Sequence, residues 1–400
     1  MQIRINFIIF AALLFFLPQQ AFSSDCESIA HLVSLEGTIE YKAAGSESWQ
    51  PARLEQAFCN GDALRSGRDS RAAVRMINDT LFRLDHDSTI TFTHIVKKDR
   101  SLLDLLKGAV HFISRVPRSL EIKTPYVNAA IEGTEFVVTV KDDRTEVTVY
   151  EGKVVARNDS GSVDLTANQT GSATSGQAPL RIVVAQPRDA VAWALYYPPL
   201  PAQQDAAGEL AHQVIDAIVK NDIEQAVALA EQAISANPQS AAALMAQSYV
   251  DQAQFDIPAA LEHSRKAAER SPQDAITQAR LAEVLLMTGD TKAARRIASA
   301  AVQLDSSLAQ TQTVLGFSSL RAVNLDDAAS AFEKAIQLDS AAPLPRLGLG
   351  LVKIRRGDLK AGREEIETAA LLDPNNALLR SYMGKAYYEE KRSGLASEQF

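Results

Sequence analysis

From residue 207 onward the chain matches itself at a shift of 34 residues. Ala226, Ala260, Ala294, Ala328 and Ala396 fall in one register, with Gly362 at the remaining place, and Ala233, Ala267, Ala301, Ala335 and Ala369 follow seven residues later. Pro238, Pro272 and Pro374 close their repeats, while Ser306 and Ser340 stand where proline would in the third and fourth. Gly316, Gly350 and Gly384 hold the place where two helices would cross in the last three repeats. Two antiparallel helices per repeat need small residues where they touch, and proline stops the second helix before the next pair begins. Such a chain stacks helix pairs into an all-α superhelix.

This pattern resembles the tetratricopeptide repeat (TPR), a 34-residue helix-turn-helix with small residues at these places and proline near its end. The resemblance covers residues 207–400, in five repeats and part of a sixth, without the family's tryptophan near each repeat start. It implies that the first helix of each pair lines a concave face on which a partner protein lies. In register, the residues facing that groove are Tyr249, Gln252, Glu283, Met287, Gln310, Phe317, Arg321, Leu351, Arg355, Lys385 and Tyr388. For Phe317 and Leu351, packing into the core is an equal expectation. Ala396 and Phe400 match Ala328 and Phe332, so the chain stops just inside a helix, and the expectation is that this is the first part of a longer protein.

The half before the repeats has period two. "AAVRMI", "TLFRL", "STITF", "EFVVTV", "TEVTVY" and "KVVAR" are short β-branched or alternating runs, punctuated by turn signals such as Asn78-Asp79 and Asp142-Asp143-Arg144. This predicts an all-β unit over 24–185, with "SLLDLLKGAVHFISR" alone able to start as a helical turn. An apolar residue, a charge and a glycine precede a strand four times, at Gly37, Gly108, Gly133 and Gly152. Glycine there lets the chain turn a corner between stacked strands, or else makes an ordinary hairpin. Residues 186–206 read as a stiff Tyr-Pro-Pro linker, with Trp193, Tyr196 and Tyr197 packing the junction between the two units.

Residues 1–23 carry one cation at Arg4, a largely apolar run from Ile5 to Leu17 and a small-residue site at Ala21-Phe22-Ser23, the layout of a secretory signal peptide. At about 1.5 Å per residue that run spans roughly 20 Å, short of a ~30 Å hydrocarbon core. Export leaves two cysteines, Cys26 and Cys59, for which a disulfide is expected in an oxidising compartment. The bridge would close a loop of about 34 residues and stabilise the fold by roughly 3–4 kcal/mol through chain entropy. The net charge of −8, with no Lys/Arg block, disfavours nucleic acid and anionic membrane surfaces as partners.

With these strands and corner glycines in place, residues 32–157 are similar to the FecR-type periplasmic domain, named for the iron-dicitrate regulator. The residues that carry the resemblance are Thr124-Pro125, Asn128-Ala129-Ala130, Gly133-Thr134-Glu135-Phe136 and the hairpin from Val149 through Gly152 to Val154. Glu132 stands where that family usually has arginine. The resemblance implies a solenoid-like β fold of short strands that works in the cell envelope, with Gly133, Thr134, Phe136 and Gly152 as structural rather than chemical residues.

Catalytic constellations are missing from the sequence: there is no His-Glu-x-x-His, Cys-x-x-Cys, Gly-x-Ser-x-Gly or Gly-x4-Gly-Lys-Ser/Thr. The six histidines are scattered. No cofactor, metal or small-molecule substrate is therefore expected. The expectation is an exported, non-catalytic scaffold or assembly adaptor, located in the periplasm or associated with the outer membrane and bound to other envelope proteins. The alternatives are an envelope signal-sensing protein, or the periplasmic arm of a longer outer-membrane protein.

Overall fold

The computed structural model describes residues 26–97, 101–115, 117–183, 194–397 and 399, without the side chains of 117–119 and 132–134. The signal peptide expected at 1–23, Trp193 and Phe400 lie outside the described residues. Strands come first: β1 (Ala30–Glu36), β2 (Ile39–Lys42), β3 (Gln50–Pro51), β4 (Ala57–Phe58), β5 (Ala63–Ser66), β6 (Arg71–Met76), β7 (Leu81–Leu84), β8 (Thr89–His94), β9 (Ser101–Ile113), β10 (Pro117–Lys123), β11 (Asn128–Val140), β12 (Arg144–Asn158), β13 (Gly161–Thr166), β14 (Gln169–Thr174) and β15 (Leu180–Ile182). They form one sheet, paired antiparallel except for β9 with β10 among the described residues.

The long strands β9, β11 and β12 change partners along their length, which bends the sheet over its own core. β9 pairs β8 and β10 in its first half, then β7 and β11 in its second. Gly108 lies at that change with φ +88°, and Gly152 with φ +77° lies inside β12, which pairs β14 before it and β13 after it. A Cβ at Gly108 would overlap Ser88, so glycine is required there twice over. Gly133 lies in β11 where the register against β12 shifts between Glu132 and Glu135. Leu32, Val74, Phe82, Phe92, Phe112, Phe136 and Val138 fill the enclosed core.

"SLLDLLKGAVHFI" is strand throughout rather than a helical turn at its start. Leu103 and Leu105 point into the core while Leu106 faces outward, and partners on both sides supply the ladder that a helix would have drawn from itself.

Helices follow in pairs: α1 (Ala206–Val219) with α2 (Ile223–Ala236), α3 (Ala241–Ala253) with α4 (Ile257–Arg270), α5 (Ala275–Met287) with α6 (Thr291–Leu304), α7 (Ala309–Arg321) with α8 (Leu325–Leu338), α9 (Pro343–Arg355) with α10 (Leu359–Leu372), and α11 (Ala377–Glu389) with α12 (Ser393–Ser397). The register alanines are buried, and where Phe332 fills the fourth repeat, Gly316 and Gly348 make room for its ring. Each turn inside a pair has one residue in the left-handed region, at Asn221, Phe255, Gly289, Val323, Gly357 and Lys391. Asp222, Asp256, Asp290 and Asp358 then cap the second helix through the backbone N–H three residues on.

Candidate protein-interaction surfaces

The eleven expected groove residues separate into three groups. Tyr249, Glu283 and Gln310 meet in a half-buried polar cluster around Arg280, a fully buried residue that the 34-residue register does not single out. Its guanidinium carbon stands 3.8 Å from the centre of the Tyr249 ring, its Nη1 lies 3.1 Å from Glu283, and its Nη2 donates to the Ser248 carbonyl at 2.9 Å. Burial, with Glu283 adding to it, raises the Tyr249 phenol above its usual value. Gln252 is half-buried on α3, the helix that carries Tyr249. Phe317 and Leu351 join apolar clusters with Leu347, Leu349 and Phe332, so they are packing residues. Met287, Arg321, Arg355, Lys385 and Tyr388 are exposed. The open surface is thus a rim at the C-terminal ends of the first helices, not the whole concave face.

A second surface is already occupied. Successive outward residues of the sheet, Ala73 and Arg75 on β6, Leu81 and Arg83 on β7, His111 and Ile113 on β9 and Glu135 on β11, form the face opposite the core, because side chains alternate along a strand. This face lies against α9, α10 and α11. Val33, Ala73, Leu81 and Ile113 pack on Leu371 and Leu372. Arg75 reaches Glu367 at 3.3 Å, the Glu364 carbonyl at 2.5 Å and Thr368 at 3.0 Å. Arg83 donates to the carbonyls of Ala194 and Leu372, each at 2.6 Å, and burial pushes it down to about 10. Arg115 bonds Tyr387 at 3.1 Å and pairs with Glu151, and Arg346 donates to the Val33 carbonyl. Ser340 accepts from the Leu35 N–H at 2.9 Å and donates to its carbonyl at 3.0 Å. Burial disfavours charge on Glu367, but Arg75 and Arg363 outweigh it and hold that carboxyl below its usual range.

A third element connects the two. The segment 194–204, without helix or strand apart from one turn residue at Ala194, runs as a strap along the edge where the first helices begin. Ala194 packs on Val137 and Tyr150 of the sheet; the Tyr196 N–H favours the charged form of the Asp373 carboxylate in the fifth repeat, although burial pushes that carboxyl up. Leu200 is buried among α1 and α3 residues, and Gln203 accepts from Ser240 at 2.7 Å. The strap therefore crosses from the last complete repeat to the first. Beside it a cleft of about 390 Å³ is bounded by Tyr196 and Pro199, by Arg71 of the sheet, and by Ile276, Gln310 and Asp339 of the repeats. Tyr196 is a junction residue, whereas Tyr197 is 43% exposed and touches Asp216 at 3.4 Å.

Cys26 and Cys59 are joined by a disulfide with Cα atoms 6.1 Å apart. Phe136 is fully buried and stacks on Phe112 at 4.9 Å. Among the described residues no cluster of three or more His, Cys, Asp or Glu is arranged to hold a metal, and no helix is long and apolar enough to cross a membrane.

The bent sheet with partner switches at Gly108 and Gly152 is the part of the chain that a known family recognises. Residues 62–155 match the FecR protein family. The FecR segment thus runs from the turn before β5 into β12 and includes all four strands, β6, β7, β9 and β11, of the face that meets the helices. No curated protein matches the chain. Among solved structures, the chain is similar to the APC/C hetero-tetramer Cut9-Hcn1, at 17% identity over 48% of this chain and 39% of that one, with a TM-score of 0.42. It is similar to a thermophilic TPR protein of Thermus thermophilus, at 18% identity over 46% of this chain and 100% of that one, TM-score 0.41. Pseudomonas aeruginosa pilF is a third, at 20% identity over 48% and 88%, TM-score 0.37.

Proposed function

We propose that the protein is an exported, non-catalytic scaffold of the bacterial envelope that binds other proteins through its TPR half. In this reading residues 24–185 form the FecR-type unit, 186–206 the linker and 207–400 the repeats. The rim carries the proposal: Met287, Arg321 and Arg355 recur at the same place in three successive repeats, Glu389 holds that place in the next, and Lys385 and Tyr388 are exposed on the same helix, α11. Aromatic, methionine and arginine side chains presented at a fixed spacing suit a protein surface, since such residues are enriched at interface cores. The FecR half acts as the brace that holds the last repeats in place through buried ion pairs. Location in the envelope is supported by the leader-like start and by a disulfide, which persists in oxidising compartments.

The test replaces Met287 by Glu, Arg321 by Glu and Tyr388 by Ala together, at exposed positions where folding is little affected. Cross-linked partners are then recovered from envelope fractions. Loss of the partners bound by the unmodified chain is expected. Unchanged recovery with an unchanged circular dichroism spectrum would rule the rim out.

A further inference from the structure

We infer that the strap is an intramolecular ligand, and that the repeat edge beneath it binds an extended aromatic-proline segment of a partner protein by exchanging it for the strap. This edge lies at the N-terminal ends of the first helices, whereas the rim lies at their C-terminal ends, so the two surfaces are separate and fail separately.

Three observations carry the inference. The contacts beneath the strap recur with the repeat: Asp339 and Asp373 are 34 residues apart, as are Ile276 and Gln310. Side chains set at the repeat spacing, carboxylates at one place and an apolar or amide group at the other, suit any extended chain laid across them, not one sequence alone. The strap also shows what such a chain supplies, namely an aromatic ring at Tyr196, an aliphatic side chain four residues later at Leu200, and an amide oxygen at Gln203 that accepts from Ser240. Pro198, Pro199 and Pro201 bias the segment toward the polyproline II form, which loses little entropy on binding.

The strap moreover leaves the edge incompletely filled. The 390 Å³ cleft remains beside it, and Gln310, which borders the cleft, has its Oε1 buried without a hydrogen-bond partner. A partner chain with one more N–H donor at that point would satisfy it. Tyr197, 43% exposed, marks the side from which exchange begins.

The experiment uses the full chain and a fluorescein-labelled peptide with the sequence of residues 194–203, read by anisotropy. A tethered strap competes at an effective concentration on the order of millimolar, so the peptide should bind the Tyr196→Ser/Leu200→Ser variant at least about tenfold more tightly than the unmodified chain. A peptide carrying serine at both of those positions should not bind. Equal affinity for the two proteins, or binding to neither, overturns the inference. Should the variant not fold, hydrogen exchange at the Tyr196 amide of the unmodified chain decides: excess peptide must accelerate it, and an unchanged rate is a negative result.

Discussion

Arg380 in α11 grips Glu135 in β11 as a fork, with Nη1 and Nη2 each 2.5 Å from a different carboxylate oxygen. The two residues are 245 positions apart, and Glu135 is almost wholly buried. His111 completes the site with Nε2 at 3.0 Å from the same carboxylate. Burial works against the charge on Glu135; the Arg380 guanidinium, and then His111, overcome it and hold the carboxyl well below its usual range. A planar guanidinium meeting both oxygens fixes direction as well as distance, which is why this pair orients the sheet on the helices.

Removing one partner leaves a buried charge alone. Arg380→Met should therefore lower stability by about 3–5 kcal/mol, and adding Glu135→Gln should recover most of the loss. Guanidinium unfolding of both single variants and the double variant measures the coupling. Additive single effects would mean that the pair does not interact in solution.

The same site predicts a pH dependence. Burial lowers His111 below its ordinary value of 6.5, although Glu135 beside it pulls the other way and Arg380 and Arg83 reinforce the drop. Below pH 6.5 the unfolded histidine binds a proton that the folded one does not, so stability falls as the pH drops from 6.5 toward the lowered value. His111→Gln lacks that loss. The stability gap between wild type and variant should narrow between pH 7.5 and 5.5, while His31, likewise lowered by burial, contributes equally to both. A gap that stays constant would show that His111 titrates alike in the folded and unfolded chain, and a gap that widens would show that it is charged when folded.

The repeats were legible because their signal is local and repeated: six small residues in one register ended up buried, and period alone identified them. The docking face was not. Arg75 in "RAAVRM" and Arg83 in "LFRL" look like the solvent side of alternating strands, and their partners lie about 290 residues away. One clue was present. β6 and β7 have almost no polar residue apart from their arginines, and a strand apolar on both sides is one covered on both faces. For Phe317 and Leu351, which the sequence leaves open between groove and core, register assigns a direction but not the depth at which neighbouring repeats close over them.

Gly108 and Gly289 separate two costs that usually come together. Their φ angles are +88° and +87°, but a Cβ at Gly108 meets Ser88 whereas one at Gly289 meets nothing within 4 Å. Gly289→Ala should cost about 1–2 kcal/mol, the left-handed penalty alone. Gly108→Ala should cost about 1–3 kcal/mol more, for overlap where the sheet bends. Thermal unfolding of both variants tests this, and equal losses would mean that Ser88 moves aside freely.

Val323 holds the turn position that Gly289 and Gly357 occupy in the neighbouring repeats, at φ +62° against +87° and +92°. A β-branched residue is the least suited to this region, because its second γ-carbon crowds the backbone that the positive φ already compresses. Its side chain is 66% exposed, so little packing offsets the strain. Asparagine enters the left-handed region readily and already fills the equivalent place at Asn221 with φ +60°. Val323→Asn should therefore stabilise the repeats by about 1 kcal/mol, raising the melting midpoint by roughly 2–4 °C. Gly357→Val should do the reverse. A lower midpoint for Val323→Asn would mean that packing of the valine side chain outweighs the strain at its positive φ.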